Sequence, residues 1–361
     1  MMSGDDRRRI RAAEIVLPCD DLAATLGFFT DRLGFRVEMI FPADAPAVAV
    51  IAGHGIRLRL ERGSGAAGTI RLACEVPDDI AGGARVLSAP NGTRIEIVDA
   101  ETPLVVPPLE PRFVLSRMGD DSEWGAGRAG MSYRDLIPGR LGGRFIASHI
   151  LISDGGKVAD YVHFHNIRFQ MIFCRKGWVR VVYEDQGPPF LLEAGDCVLQ
   201  PPRIRHRVLE SSPGLEVIEI GCPALHETFA DNELTLPTAT IDHQRDFAGQ
   251  RFHRHVAAAT AWRNWHVDGF VCRDTGIADA TGGFAGARVV APRGATRTPI
   301  GSHDGEFFFL FVLDGAATLH CEGSHRLAPG DACAIPARMA HALEECSDDL
   351  ALLEVTLPAA G

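Results

Sequence analysis

The stretch "LLEAGDCVLQPPRIRHRVLE" (residues 191–210) aligns without gaps with "RLAPGDACAIPARMAHALEE" (residues 326–345). Both carry Gly-Asp, then a short apolar run to a proline, then Arg and His at the same offsets. These are Gly195, Pro201, Arg203 and His206 in one block and Gly330, Pro336, Arg338 and His341 in the other. Gly-Asp marks a turn, and an apolar run bounded by Gly and Pro reads as a short strand. Each block follows a strand pair that meets at a turn glycine, Gly177 or Gly315. From residue 144 onward the chain consists of short strands punctuated by Gly and Pro, with almost no helical periodicity. The C-terminal two-thirds therefore reads as a tandem duplication of all-β barrels or sandwiches.

Upstream of the first block lies "VHFHNIRFQMIFCRKG" (residues 162–177). Residues two apart on a strand share a face, so Tyr161, His163 and His165 point the same way. An antiparallel barrel would bring His206 beside the two histidines. Three neutral imidazoles on one point suit Fe(II), Mn(II), Ni(II), Cu(II) or Zn(II) and leave positions open for substrate, oxygen or water. Gln170, across the next turn, is either a weak fourth ligand or a hydrogen-bonding neighbour of the ligands. Arg168, Arg203 and Arg205 are candidates to anchor a substrate carboxylate by paired hydrogen bonds, and Tyr161 is a candidate pocket residue. The second block offers Gly301, His303, Phe308 and His341 at the same places. Two histidines are a poor basis for a catalytic metal, so this barrel reads as mainly structural, with a cavity open to an apolar ligand. A further H-x-H, in "FHRH" (residues 252–255), precedes the repeated block and reads as a surface or interface element.

These two blocks resemble the paired motifs of the cupins, G-x5-H-x-H-x3–4-E-x6-G and G-x5-P-x-G-x2-H. The resemblance implies two tandem jelly-roll barrels, at residues 144–230 and 255–357, joined by a connection at 231–254. It implies metal ligation by His163, His165, Gln170 and His206. Two positions depart from the family pattern: Gln170 replaces the motif glutamate and Arg203 the second-motif glycine. A three-histidine set without a carboxylate resembles that of cupin dioxygenases. The expected function is thus a metal-dependent dioxygenase, with Fe(II) first among the metals, acting on a small anionic, aromatic or diketone-like substrate. The alternatives are a non-oxidative isomerase or lyase using the metal as Lewis acid, and a non-catalytic small-molecule-binding bicupin.

Residues 12–100 mix helix and strand: "EIVLP", a helix over "DDLAATLGFFTDRLGF", then "RVEMIFPA", "AVAVIAG", "IRLRLERG" and, after a gap, "GTRIEIVDA". This block resembles a single βαβββ module of the vicinal-oxygen-chelate group, to which glyoxalases and extradiol dioxygenases belong, with "GTRIEIVDA" as its last strand. The resemblance puts possible metal positions at Glu14 and Glu96. Such sites draw on two paired modules, so two exposed carboxylates in a dimerisation or covering domain is the plainer expectation. The expected fold is mainly β, with an N-terminal α+β module, and the expected assembly a homodimer. Residues 101–143, rich in Pro and Gly, read as a linker ordered along another domain.

A formal net charge of −11 argues against a nucleic-acid surface. No apolar run approaches the roughly 18 residues of a membrane span. The N-terminus, read as a short disordered tail, shows no apolar segment of a secretory signal. Nine cysteines, none in a C-x-x-C pair, read as buried free thiols. A cytoplasmic protein is the expectation.

Overall fold

The computed structural model describes residues 12–101, 103–119, 123–127 and 130–360; most of the N-terminal tail lies outside the described residues. The chain divides into two units, Met1–Pro103 and Leu104–Gly361. Among the described residues no helix is long and apolar enough to cross a membrane. The nine cysteines are free, and all but Cys74 are buried.

In the first unit, strand β1 (Ile15–Cys19) leads into helix α1 (Leu22–Gly27). Asp21 caps the helix, its Oδ1 accepting from the Ala24 N–H at 3.0 Å. Strands β2 (Arg36–Phe41), β3 (Val48–Gly53) and β4 (Ile56–Arg62) follow. The sheet order is β1-β4-β3-β2, with β1 parallel to β4. The expected β-α-β-β-β order is therefore present, but it closes at β4. "GTRIEIVDA" does not close this sheet, because β4 already fills the place between β1 and β3. That run forms β7 (Arg94–Asp99), in a second sheet with β5 (Thr69–Cys74) and β6 (Val86–Ser88), ordered β5-β7-β6 with β5 parallel to β7. Leu17, Leu58 and Leu60 of the first sheet share one core with Ile95 and Ile97 of the second.

The second unit contains two seven-stranded sheets. The first runs, edge to edge, through His253–His255, Cys197–Leu199, Phe169–Lys176, Leu215–Cys222, Ile146–Ile152, Ser132–Asp135 and Gly125–Ala126. The second runs through Val114–Ser116, Ala332–Ala334, Phe307–Asp314, Ala351–Leu357, Gly286–Pro292, Phe270–Asp274 and Arg263–Asn264. Position for position, the two orders are the same. The duplication thus extends further toward the N-terminus than the motif blocks. Residues 101–143 do more than connect, since they supply strands to both sheets. "FHRH" lies inside the repeat, as the counterpart of "FVLS" at residues 113–116.

The edge strands are exchanged. The segment that precedes the first barrel, Val114–Ser116, pairs with Ala332–Ala334 of the second. The segment that precedes the second, His253–His255, pairs with Cys197–Leu199 of the first. The aspartates of the two Gly-Asp turns hold these arms. Asp196 accepts from the Ala257 N–H at 2.8 Å, and Asp331 accepts from the Met118 N–H at 2.7 Å. Both aspartates are buried.

Alternation along the strands separates two faces. Phe169, Met171 and Phe173 join Phe307, Phe309 and Phe311 in a core between the seven-stranded sheets, where the Phe145 and Phe307 rings stack at 4.2 Å. The intervening residues face the barrel interiors: Ile172 and Cys174 in the first, Leu310 and Val312 in the second. The first barrel is closed by a sheet ordered Phe190–Glu193, Trp178–Tyr183, His206–Ser211, His163–His165, Thr228–Ala230. The second is faced by a sheet ordered Ser324–Leu327, Ala317–His320, Ala342–Glu344.

Candidate metal centre

His163 and His165 stand on a three-residue strand whose neighbour is the strand that begins at His206, and His163 pairs directly with His206. One ring nitrogen from each of the three lies within 4.8 Å of the others, and all three residues are buried. Among the described residues this is the one group of three or more metal-ligating side chains that meets this geometry.

The outer nitrogen of every ring is held. His163 Nδ1 lies 2.8 Å from the Tyr161 carbonyl, with the Asp160 carboxylate at 3.6 Å. His206 Nδ1 lies 3.1 Å from the Ile204 carbonyl. His165 Nδ1 lies 2.9 Å from Thr228 Oγ1. A carbonyl can only accept, so Nδ1 of His163 and of His206 carries the proton, and Nε2 keeps its lone pair. This is how metal-binding imidazoles are usually oriented, so the donor set fits a divalent ion. The Gln200 amide nitrogen, 2.9 Å from His206 Nε2, donates to that lone pair, and an ion bound there would displace it. The Tyr183 ring stacks against His206 at 5.5 Å, and burial raises its phenol well above the ordinary range.

His165, Gln170, Gln200, His206 and Glu219 line a cavity of about 90 Å³ whose other walls include Ile150, Val181 and Leu192. Gln170 donates from Nε2 to Glu219 Oε1. Ile172, not Gln170, pairs directly with Glu219, so Gln170 and Glu219 are diagonal neighbours on one face of adjacent strands. A carboxylate therefore does line this cavity, supplied by the strand next to the one where the motif would have it. Sequence reasoning missed Glu219 and Gln200. The signal for Glu219 was a lone acid in the apolar run "LEVIEIGC", repeated as Glu354 in "ALLEVTL" at the offset that relates His206 to His341.

The four proposed polar helpers sit elsewhere. Tyr161 is 48% exposed and precedes the strand, so strand parity does not govern its side chain. Its ring lies edge-on to His163 at 5.7 Å, and its carbonyl is what holds that histidine. Arg203 and Arg205 lie over the ring of Phe164, whose side chain takes the strand face opposite the histidines, and Arg205 pairs with Asp231 at 3.3 Å. Arg168 pairs with Glu306 at 3.0 Å and covers Phe284. None of the four lines the cavity. Arg203 has a left-handed backbone (φ 62°), as does Arg338 (φ 64°), which explains why the motif has glycine there. In both barrels this residue's N–H ties the turn to the other motif: Arg203 to the His165 carbonyl, Arg338 to that of His303.

In the second barrel Gly301 takes the place of His163, bridged to His341. His303 Nε2 donates to the Ile335 carbonyl at 2.8 Å, and the His303 and His341 rings are 6.2 Å apart. The pair does not form a metal set. In the first unit, Glu14 is engaged by Arg57 and Arg59 on one sheet, and Glu96 by Arg94 on the other. Among the described residues, neither belongs to a metal-type group.

Residues 287–356 match the family model described as a cupin domain. The fold is a tandem cupin. Among solved structures, a mutant of Bacillus subtilis oxalate decarboxylase is 14% identical, covering 67% of this chain and 76% of its own, with a TM-score of 0.50. Protein Ylba from E. coli is 11% identical, covering 70% of this chain and 93% of its own, also at 0.50. A mutant of salicylate 1,2-dioxygenase from Pseudoaminobacter salicylatoxidans is 14% identical, covering 62% and 75%, at 0.49. No curated protein matches the chain in sequence. The family match concerns residues 287–356 and the structural likenesses concern the fold, and none of them tests the chelate-type likeness of the first unit.

Proposed function

We propose that the first cupin barrel is a metal-dependent enzyme site for a compact substrate, with His163, His165 and His206 holding a divalent ion, Fe(II) first among the candidates. The observation that carries this reading is the trio of buried imidazoles whose outer nitrogens are held, two by backbone carbonyls and one by the Thr228 hydroxyl, with no carboxylate among the ligands. A divalent ion held by neutral ligands supplies undiminished positive charge, which favours an anionic oxygen or sulfur donor from substrate and, with iron, chemistry with oxygen. The chain's own residues then do the rest. The Gln170 and Gln200 amides can orient the substrate's polar atoms, and the aliphatic walls exclude water. A cavity of about 90 Å³ corresponds to roughly three water volumes, which favours a short diketone, hydroxy acid or thiol over a multi-ring compound. With no arginine in the lining, the ion itself is the main anchor for the anion.

A dioxygenase is the leading reading. A specific observation supports a second one: the Glu219 carboxylate in the same cavity is placed to take a proton, as an isomerase or lyase requires. Metal content after anaerobic loading, followed by oxygen uptake with a panel of diketones, hydroxy acids and thiols, separates the two. Oxygen consumption coupled to product supports the dioxygenase, and metal-dependent turnover without oxygen supports the lyase or isomerase. Full metal loading of His163→Ala or His206→Ala protein would overturn the site itself.

A further inference from the structure

Asp160 is buried beside the three histidines without being one of the metal-type group. It stands three residues before His163, and its side chain, like that of His163, is fully buried. Its Oδ2 accepts from the Val208 N–H at 2.9 Å, two residues past His206 on the same strand. Its Oδ1 faces His163 Nδ1 at 3.6 Å. That is too long for a hydrogen bond, and the Nδ1 proton goes to the Tyr161 carbonyl. What remains is the charge itself, beside a ligand ring and away from the screening of water.

The second barrel shows what this position needs where there is no metal set. Thr298 stands three residues before Gly301, the counterpart of His163, and Leu343 stands two past His341. The Thr298 hydroxyl accepts from the Leu343 N–H, also at 2.9 Å. The tie between the two segments is thus the same in both barrels, and a neutral acceptor is enough to make it. A buried carboxylate is costly to desolvate, so its use in the first barrel alone points to a second task. A carboxylate behind a ligating imidazole strengthens that ring as a donor, and an ion whose ligands are all neutral gains most from such a charge. We propose that Asp160 is a positioning and charge-balancing residue of the first barrel's metal centre. It raises the affinity for a divalent ion through His163 and leaves the open coordination positions free of protein carboxylate. The inference rests on the reading of the three histidines as ligands.

The test is a cobalt(II) titration of the metal-free full chain, followed by visible absorption, on wild type, Asp160→Thr, Asp160→Asn and His206→Ala. Asp160→Thr installs the residue of the second barrel and keeps an acceptor for Val208. Asp160→Asn keeps the acceptor and the shape, and it serves if the threonine variant fails to fold. Both are expected to bind cobalt about 10–100-fold more weakly than wild type, the usual effect of losing an outer partner of a ligand. The melting temperature of the metal-free protein should fall by no more than a few degrees, since the tie to Val208 is kept. In iron-loaded protein the Fe(III)/Fe(II) midpoint potential should rise in both variants, because the lost negative charge favoured Fe(III). A purely structural role would not move that potential. Cobalt bound by wild type, lost in His206→Ala and held equally well by the Asp160 variants would overturn this inference and leave the three-histidine reading standing. An unchanged potential, or an affinity loss matched by a loss of metal-free stability, would overturn it too. No cobalt uptake by wild type, or uptake unchanged in His206→Ala, would overturn the reading of the site and the inference with it.

Discussion

Gln170→Glu would restore the residue that the cupin motif prescribes, yet this structure predicts that it damages the protein. Gln170 now gives an N–H to Glu219 Oε1. The substitution removes that donor and puts a second carboxylate in its place. A hydrogen bond to a charged group contributes about 1.5–3 kcal/mol. Two carboxylates about 4 Å apart repel by roughly 4 kcal/mol at an effective dielectric constant near 20. The folded variant escapes part of this by holding one proton between the pair, as close carboxylates do. The sign then follows from linkage. A carboxyl with a raised folded pKa incurs no penalty below its unfolded pKa near 4.3, and a penalty growing by about 1.4 kcal/mol per pH unit above it until the folded pKa is passed. The metal-free variant should therefore be destabilised by roughly 2–4 kcal/mol at pH 8. Taking about 2–4 °C per kcal/mol, its melting temperature should fall by about 5–15 °C at pH 8 and recover most of the difference at pH 5. Thermal melts of both proteins across pH 5–8, after treatment with chelator, measure this. Equal melting at pH 8, or a deficit that does not depend on pH, would refute the pairing of Gln170 with Glu219.

Other outcomes follow from the same geometry. Arg203→Gly and Arg338→Gly each relieve a left-handed backbone at the expense of a more flexible unfolded chain, so each should be neutral to stabilising by up to about 1 kcal/mol in urea titrations. Glu216 accepts from His149 and from Arg175, and the His149 hydrogen bond first, then Arg175, hold its carboxyl down at about 2. This depressed value contributes stability that is full above the ordinary carboxyl range and is lost as pH falls toward 2, so Glu216→Gln should flatten the acid limb of the stability profile. Phe309→Ala empties a fully buried place in the core between the barrels and should cost about 3–5 kcal/mol, read as a lower denaturation midpoint. Glu219→Gln should leave metal content unchanged in loaded protein while abolishing turnover if the lyase or isomerase reading holds, a comparison made by elemental analysis and activity on the same sample.

The duplication was legible because turns are written in a few obligatory residues: Gly195, Pro201 and His206 recur as Gly330, Pro336 and His341. The three histidines could be read as one group because strand parity and motif offsets are local rules. What stayed hidden depends on partners distant in sequence. Arginines two and four residues after a motif proline look like substrate anchors until Phe164 is found beneath them, on the outer face. Tyr161 has the parity of the histidines, but parity holds only within a strand, and the strand starts at His163. Loss of the motif glutamate read as loss of negative charge, because the compensating Glu219 enters from a strand far along the chain. In the first unit, a run that alternates correctly for a strand does not say which of two sheets it will join.

The exchanged arms give the chain the economy of a domain-swapped dimer fused into one polypeptide. Neither barrel owns the strand that seals its own sheet edge. An isolated barrel would leave the Cys197–Leu199 or Ala332–Ala334 edge unpaired, a short run of buried apolar residues of the kind that recruits other chains. A cut between the barrels, by contrast, should yield two fragments that remain clasped, each holding the other by its arm. The second barrel thus has a structural reason to persist without a metal set, because the first barrel depends on the arm that leads into it to complete its own sheet.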